Sequence, residues 1–220
     1  MADGRATCDT AQEIGGPMIL IRFEKWMMRC ALRRWGQRRV EAPRVFRGVD
    51  VPEGATVLEI GCGYGDGVLL IAQRFAGARV VAMDLDEEIV AAAQQRIALP
   101  PRWARAVATD RITLLCGDAT ALSFPDAAFD AVILFGMLHH VREWRRVIAE
   151  AHRVLRPGGV FAFEEALIGN RWWRFNDRWG HVPFKAAELR EALGVAGFQV
   201  ERFDDPWYLP LCFVQAVRAF

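Results

Sequence analysis

The stretch Val57-Leu58-Glu59-Ile60-Gly61-Cys62-Gly63-Tyr64-Gly65-Asp66-Gly67-Val68-Leu69-Leu70-Ile71 decides the fold. An apolar run ends at an acid, glycines occupy every second position from 61 to 67, and a helical apolar pattern follows. That order reads as strand, tight turn, helix. Glycine is required where the backbone turns sharply or where a ligand must approach without a Cβ in the way. The helix that follows points its free amide groups at the same ligand. The stretch therefore predicts a nucleotide-type cofactor site at the start of an α/β sheet.

The chemistry around the turn narrows the ligand. The dinucleotide fingerprint G-x-G-x-x-G requires glycine at position 66, and Asp66 stands there. A phosphate-binding P-loop requires Gly-Lys-Ser/Thr after the turn, which is absent. Glu59 and Asp66 together would repel a pyrophosphate and suit a cationic ligand. The pattern E-x-G-x-G-x-G resembles the first motif of the class I S-adenosylmethionine-dependent methyltransferases, in the small-molecule branch. Their cofactor carries an ammonium and a sulfonium and no phosphate.

Four further segments resemble that family in its own order. Arg79-Val80-Val81-Ala82-Met83-Asp84 matches the second strand, and Ile112-Thr113-Leu114-Leu115-Cys116-Gly117-Asp118-Ala119 the third strand and its turn. Phe129 to Val141, with its Met137-Leu138-His139-His140 loop, matches the fourth strand. Arg153-Val154-Leu155-Arg156-Pro157-Gly158-Gly159-Val160 matches the L-x-P-G-G turn before the fifth. The resemblance implies S-adenosyl-L-methionine as cofactor, with Asp84 on the ribose hydroxyls and Asp118 and Ala119 on the adenine. It implies a binding set of Glu59, Gly61, Cys62, Gly63, Gly65, Asp84, Leu85, Asp118, Ala119 and Phe135. The spacing of 19 residues from Gly65 to Asp84 also suits a nicotinamide dinucleotide, so an NAD(P)-dependent reductase is the alternative. Glu59 and the missing third glycine argue against it.

The chain of 220 residues suits one α/β domain, and a hydrophobic share of 53% excludes general disorder. A net charge of +1 gives no global field for nucleic acid, and no basic, aromatic-interleaved groove is evident. Nor does the chain after β-type segment 129–135 carry the N/D-P-P-Y/F of base-amine methyltransferases; Phe135-Gly136-Met137-Leu138 stands there. The five cysteines are widely spaced and form no C-x-x-C, which predicts no metal site, no disulfide scaffold and a cytoplasmic location. No apolar run reaches the length of a bilayer span, and no secretory leader is evident.

Residues 1–50 read as an N-terminal extension, with an amphipathic helix over 18–40, and residues 51–220 as the catalytic domain. Pro43 and Pro52 punctuate the link between them. Strands are expected near 56–60, 79–84, 111–115, 129–135, 159–164, 198–203 and 212–220, with helices near 66–76, 86–98, 142–155 and 185–196. This alternation predicts a Rossmann-like, doubly wound, seven-stranded sheet with right-handed crossovers, mostly parallel. The family resemblance adds that the last strand runs antiparallel between its neighbours. Ligand then lies at the carboxyl ends of the strands, where Glu59, Gly61, Asp84, Asp118 and Phe135 all fall.

In-line attack on a sulfonium methyl needs positioning above all, which supplies up to ~7–11 kcal/mol. A general base is required only if the acceptor loses a proton. Candidates are His181, Glu164 and His140, with His139 and Glu165 beside them; the alternative for the paired histidines is that they shape the loop over the cofactor. The segment 170–184 holds three tryptophans and two phenylalanines. Trp172, Trp173 and Trp179 are candidate contacts to a flat or lipophilic acceptor, or else a cap packed on the sheet. The basic helix 18–40 has two readings as well. It packs on the domain and closes over the cofactor, or it contacts an anionic membrane, in which case a quinone or phospholipid amine becomes the acceptor.

Overall fold

The computed structural model describes residues 29–167, 182 and 184–219. Seven strands form one sheet in the order β3-β2-β1-β4-β5-β7-β6. They are β1 Thr56–Ile60, β2 Arg79–Asp84, β3 Ile112–Cys116, β4 Phe129–Phe135, β5 Leu155–Ala166, β6 Phe198–Asp204 and β7 Leu211–Arg218. The pairs β1–β2, β2–β3, β1–β4 and β4–β5 are parallel, whereas β7 is antiparallel to both β5 and β6. Strand order reverses between β1 and β4, so the ligand crevice of this topology opens above those two strands.

Alternation along the central strands builds a core on each face. Leu58 and Ile60 of β1, with Val132 and Leu134 of β4, join α5 (Trp144–Val154) and α6 (Ala186–Val195) on one face. Val57, Ala131, Ile133 and Phe135 join α3 (Asp66–Arg74) and α4 (Glu87–Ala98) on the other. Helix α3 starts at the end of the glycine turn, and α4 is capped by Asp86, whose carboxylate accepts from Glu88 N and Ile89 N. Among the described residues, no helix is long and apolar enough to cross a membrane.

Two boundaries differ from the expected ones, each for a local reason. The fifth strand begins at Leu155 rather than near 159. Phe129 pairs with Leu155 and Ala131 with Val160, so Arg156 to Gly159 form a bulge within one strand instead of a turn before it. Gly158 sits at φ +76°, and a Cβ on Gly159 would lie 2.8 Å from the Arg156 carbonyl, which explains the glycine pair.

The N-terminal helix, in turn, runs past Pro43. Helix α1 (Ala31–Gly36) passes into a π turn (Gln37–Glu41) and then α2 (Ala42–Val45). The Ala42 N–H donates to Gln37 O, five residues back. That turn restarts the helix at Ala42, so Pro43 falls in a first turn where its missing N–H costs nothing. Ala42, Val45, Phe46 and Val49 pack in the same core as β1 and β4. Residues 18–28 of the expected helix lie outside the described residues.

Candidate active site

The glycine turn is held to the sheet by its backbone. Gly61 N and Cys62 N both donate to Met83 O at 2.9 Å, and Gly65 N donates to Cys62 O at 3.0 Å. Gly61, Gly63 and Gly65 have φ of +77°, +50° and +83°, the left-handed region in which a side chain is strained. Gly67 is required for space: a Cβ there would lie 2.0 Å from Glu59 Oε1 and 3.0 Å from the Phe135 ring.

Glu59 therefore lies under the first turn of α3. It is 1% exposed, and its Oε2 has no hydrogen-bond partner. Burial, then Asp84 and Asp66, push its carboxyl well above the ordinary glutamate range. A cation beside it would draw it back. Asp84, at the end of β2, accepts from Gly63 N at 3.0 Å through Oδ2 and from Asp86 N at 3.3 Å through Oδ1. Burial raises its pKa, against those backbone donors. A carboxylate aimed by backbone amides and half-exposed has lone pairs left for hydroxyl donors. An orphaned buried acid, a bare peptide cradle and a fixed carboxylate fit a cofactor with an ammonium and a ribose.

The other expected cofactor residues lie around this centre. Gly117 N donates to Asp84 O at 3.0 Å, bringing the turn after β3 beside β2. Asp118 there is exposed, and its Oδ1 accepts from Thr120 N at 2.7 Å and Thr120 Oγ1 at 2.8 Å. Ala119 is half-buried against the core, and the Leu85 carbonyl accepts from Cys116 Sγ at 3.2 Å. The Cys62 side chain is buried, and burial pushes its thiol up beyond the titrating range. Phe135 packs edge-on to Phe46 at 5.9 Å between ring centres.

The two glutamates of β5 point to opposite faces, as strand alternation requires. Glu165 is fully buried and accepts from Leu138 N and Ala166 N, both at 2.7 Å, and bonds His139 Nδ1. It thereby clamps the loop that carries His139 and His140, whose rings lie 4.1 Å apart. That loop is tied onward by Val182 N donating to His139 O at 2.8 Å. Glu164, 1% exposed, faces Gly136 and the N-terminal helix, with Arg33 Nη2 3.8 Å away. Arg33 Nη1 donates to Glu41 Oε2 at 2.7 Å. Burial and then Glu41 push Glu164 well above the ordinary range, against the pull of Arg33. His181, Trp172, Trp173 and Trp179 lie outside the described residues.

Asp66 corrects one expectation. The sequence sets it with Glu59 as an acid that disfavours a pyrophosphate and suits a cationic ligand. The structure gives it two partners from two helices, Arg34 Nε at 3.2 Å and Arg96 Nη2 at 2.5 Å, and leaves it 7% exposed. Arg33, Arg34, Glu41 and Arg96 all border the site and escaped the sequence reading, because partners 8 to 131 positions apart in sequence leave no local motif.

Residues 58–163, from β1 to β5, match the family model described as a methyltransferase domain. A probable S-adenosylmethionine-dependent methyltransferase of Mycolicibacterium smegmatis is 36% identical over 157 residues, which cover 67% of this chain and 53% of that protein. A sterol 24-C-methyltransferase of Eremothecium gossypii is 29% identical over 182 residues, covering 73% of this chain and 47% of that one. The chain thus spans about half the length of the curated relatives it matches. Its fold is similar to that of a crystallised S-adenosylmethionine-dependent methyltransferase from Aquifex aeolicus. That match has a TM-score of 0.72, covers 91% of this chain and 100% of the other, and carries 18% identity. The matched segment is the one that holds the glycine turn, the orphaned Glu59 and the backbone-fixed Asp84, and the chain belongs to the class I S-adenosylmethionine-dependent methyltransferases.

Proposed function

We propose that this chain transfers a methyl group from S-adenosylmethionine to a small lipophilic or aromatic acceptor. The buried Glu59 carboxyl beneath the left-handed glycine turn, its Oε2 without a hydrogen-bond partner, carries the reading. Asp84 would take the ribose hydroxyls, with Leu85 beside it, and Asp118 and Ala119 the adenine edge. Gly61, Cys62, Gly63 and Gly65 offer backbone, Glu59 a negative charge for an ammonium, and Phe135 a wall. When bound, the donor supplies an electrophilic methyl on sulfur that departs as a neutral thioether. The chain's own work is to orient, exclude water and, for a protic acceptor, take a proton. His140, His181 and Glu164 are the candidates for that last step.

The acceptor class rests on two supports. The tryptophans 172, 173 and 179 follow β5 and offer flat apolar contacts, and a similar protein is named for a sterol acceptor. The basic helix of residues 18–40 is the part proposed to meet a membrane if the acceptor resides there. A nicotinamide reductase is disfavoured, since a pyrophosphate next to Glu59 would meet like charge. We assign the reaction to the cytoplasm, where Cys30, Cys62, Cys116 and Cys212, none of them in a disulfide, stay reduced.

Titration calorimetry with S-adenosylhomocysteine and with NADH tests the reading. The expected result is binding of the first and none of the second; the reverse overturns it. Transfer of labelled methyl into a cell extract, followed by identification of the product, then names the acceptor.

A further inference from the structure

The N-terminal helix meets the site through consecutive arginines. Adjacent residues on a helix diverge by about 100°, so Arg33 and Arg34 cannot share a partner. Arg33 reaches Glu41 at 2.7 Å and Glu164 of β5 at 3.8 Å. Arg34 reaches Asp66 at 3.2 Å, the first residue of α3 and the immediate successor of the glycine turn. Upstream on the same segment, the Arg29 guanidinium lies 5.5 Å from the centre of the Tyr64 ring, inside that turn.

The two carboxylates so engaged stand on either side of the crevice. Asp66 follows β1, Glu164 lies on β5, and β4 runs between them. The π turn takes part in this arrangement: its last residue, Glu41, is buried and accepts from Arg33. The carboxylates are 7% and 1% exposed, so each is costly to leave without its cation.

We propose that Arg33 and Arg34 are positioning residues for cofactor binding: they strap the N-terminal helix across the β1/β4 crevice by gripping Glu164 on one bank and Asp66 on the other. Arg96 holds Asp66 from the opposite side, so the head of α3 keeps its place when the strap lifts. The strap then sets the rate at which cofactor leaves and fixes the glycine turn while it is bound. This rests on the methyltransferase reading, and the experiment separates the two.

Binding and dissociation of S-adenosylhomocysteine are measured for the parent, Arg33→Gln, Arg34→Gln, Arg34→Lys and Arg39→Gln. Arg39 is exposed on the same helix and controls for the lost charge. The expected result is dissociation faster by about fivefold to tenfold in Arg33→Gln and Arg34→Gln, partial rescue in Arg34→Lys, and parental behaviour in Arg39→Gln. Bound S-adenosylhomocysteine is also expected to slow hydrogen exchange of amides 31–41 in the parent at least about fivefold. Should a variant fail to fold, that exchange measurement on the parent decides alone. If the parent binds and both glutamine variants release at the parental rate, or exchange over 31–41 is unchanged by ligand, the strap is overturned. If the parent does not bind at all, the underlying reading has failed instead.

Discussion

At the scale of single residues, charge and space at the glycine turn decide binding. Asp84 has its two oxygens aimed by Gly63 N and Asp86 N, so replacing it removes both the acceptor and its orientation. Asp84→Ala is expected to weaken S-adenosylhomocysteine binding by about 2–3 kcal/mol in calorimetry, the cost of leaving hydroxyls unmatched. Gly67→Ala tests the space beside Glu59. A methyl 2.0 Å from Glu59 Oε1 must displace a carboxyl that has no other room, and urea unfolding should show a loss of about 1–3 kcal/mol. The glycines, Glu59 and Asp84 were legible in the sequence because one turn and one strand end fix them locally. Asp66 was misread for the opposite reason: its partners arrive from helices 30 residues away on each side or further, and no spacing rule announces them.

At the scale of elements, Arg153 shows how α5 holds the approach to β4. Its guanidinium donates to Leu122 O, Phe124 O, Asp126 and both oxygens of Glu150, all within 2.9 Å. Arg153→Ala leaves two carbonyls short of a donor, and chemical unfolding should register about 1–3 kcal/mol. Hydrogen bonding to Arg153 holds Glu150 below the ordinary carboxylate range. Its contribution is therefore present above the unfolded value near 4.5 and is lost as pH falls through the lower folded value. Glu150→Gln should flatten the acid side of the stability profile below about pH 4.5. Period and punctuation predicted each of these strands and helices within a few residues. They failed at the π turn and at the β5 bulge, where proline and glycine mark an irregularity inside an element and not its end.

At the scale of the whole molecule, the buried acids Glu41, Glu59 and Glu164 and the half-buried Asp84 are all pushed up, chiefly by desolvation. For a raised carboxyl the sign reverses. Above the unfolded values, 4.5 for the glutamates and 3.8 for Asp84, the unfolded chain ionises first, so stability falls as pH rises toward each folded value. The facing charges include Arg33 beside Glu41 and Glu164, and Asp66 with Arg34 and Arg96 near Glu59. Without ligand, Tm should decline as pH rises above the ordinary carboxylate range, and Glu164→Gln should shallow that slope in a calorimetric series. The doubly wound, mostly parallel sheet was legible because βα alternation leaves few topologies, whereas the antiparallel place of β7 followed from the family resemblance and not from periodicity. The charge balance was not, since it depends on which side chains the fold buries together.

Strand β7 is translated after both of the strands it separates. While it remains inside the ribosome, β5 and β6 each present an unfilled edge of amides and carbonyls, and neither can pair with its native neighbour. The nascent chain thus carries two sticky borders until β7 slots into place. Stalled or nonsense-truncated products lacking Leu211–Arg218 should consequently clump, even with the glycine turn and Asp84 fully formed.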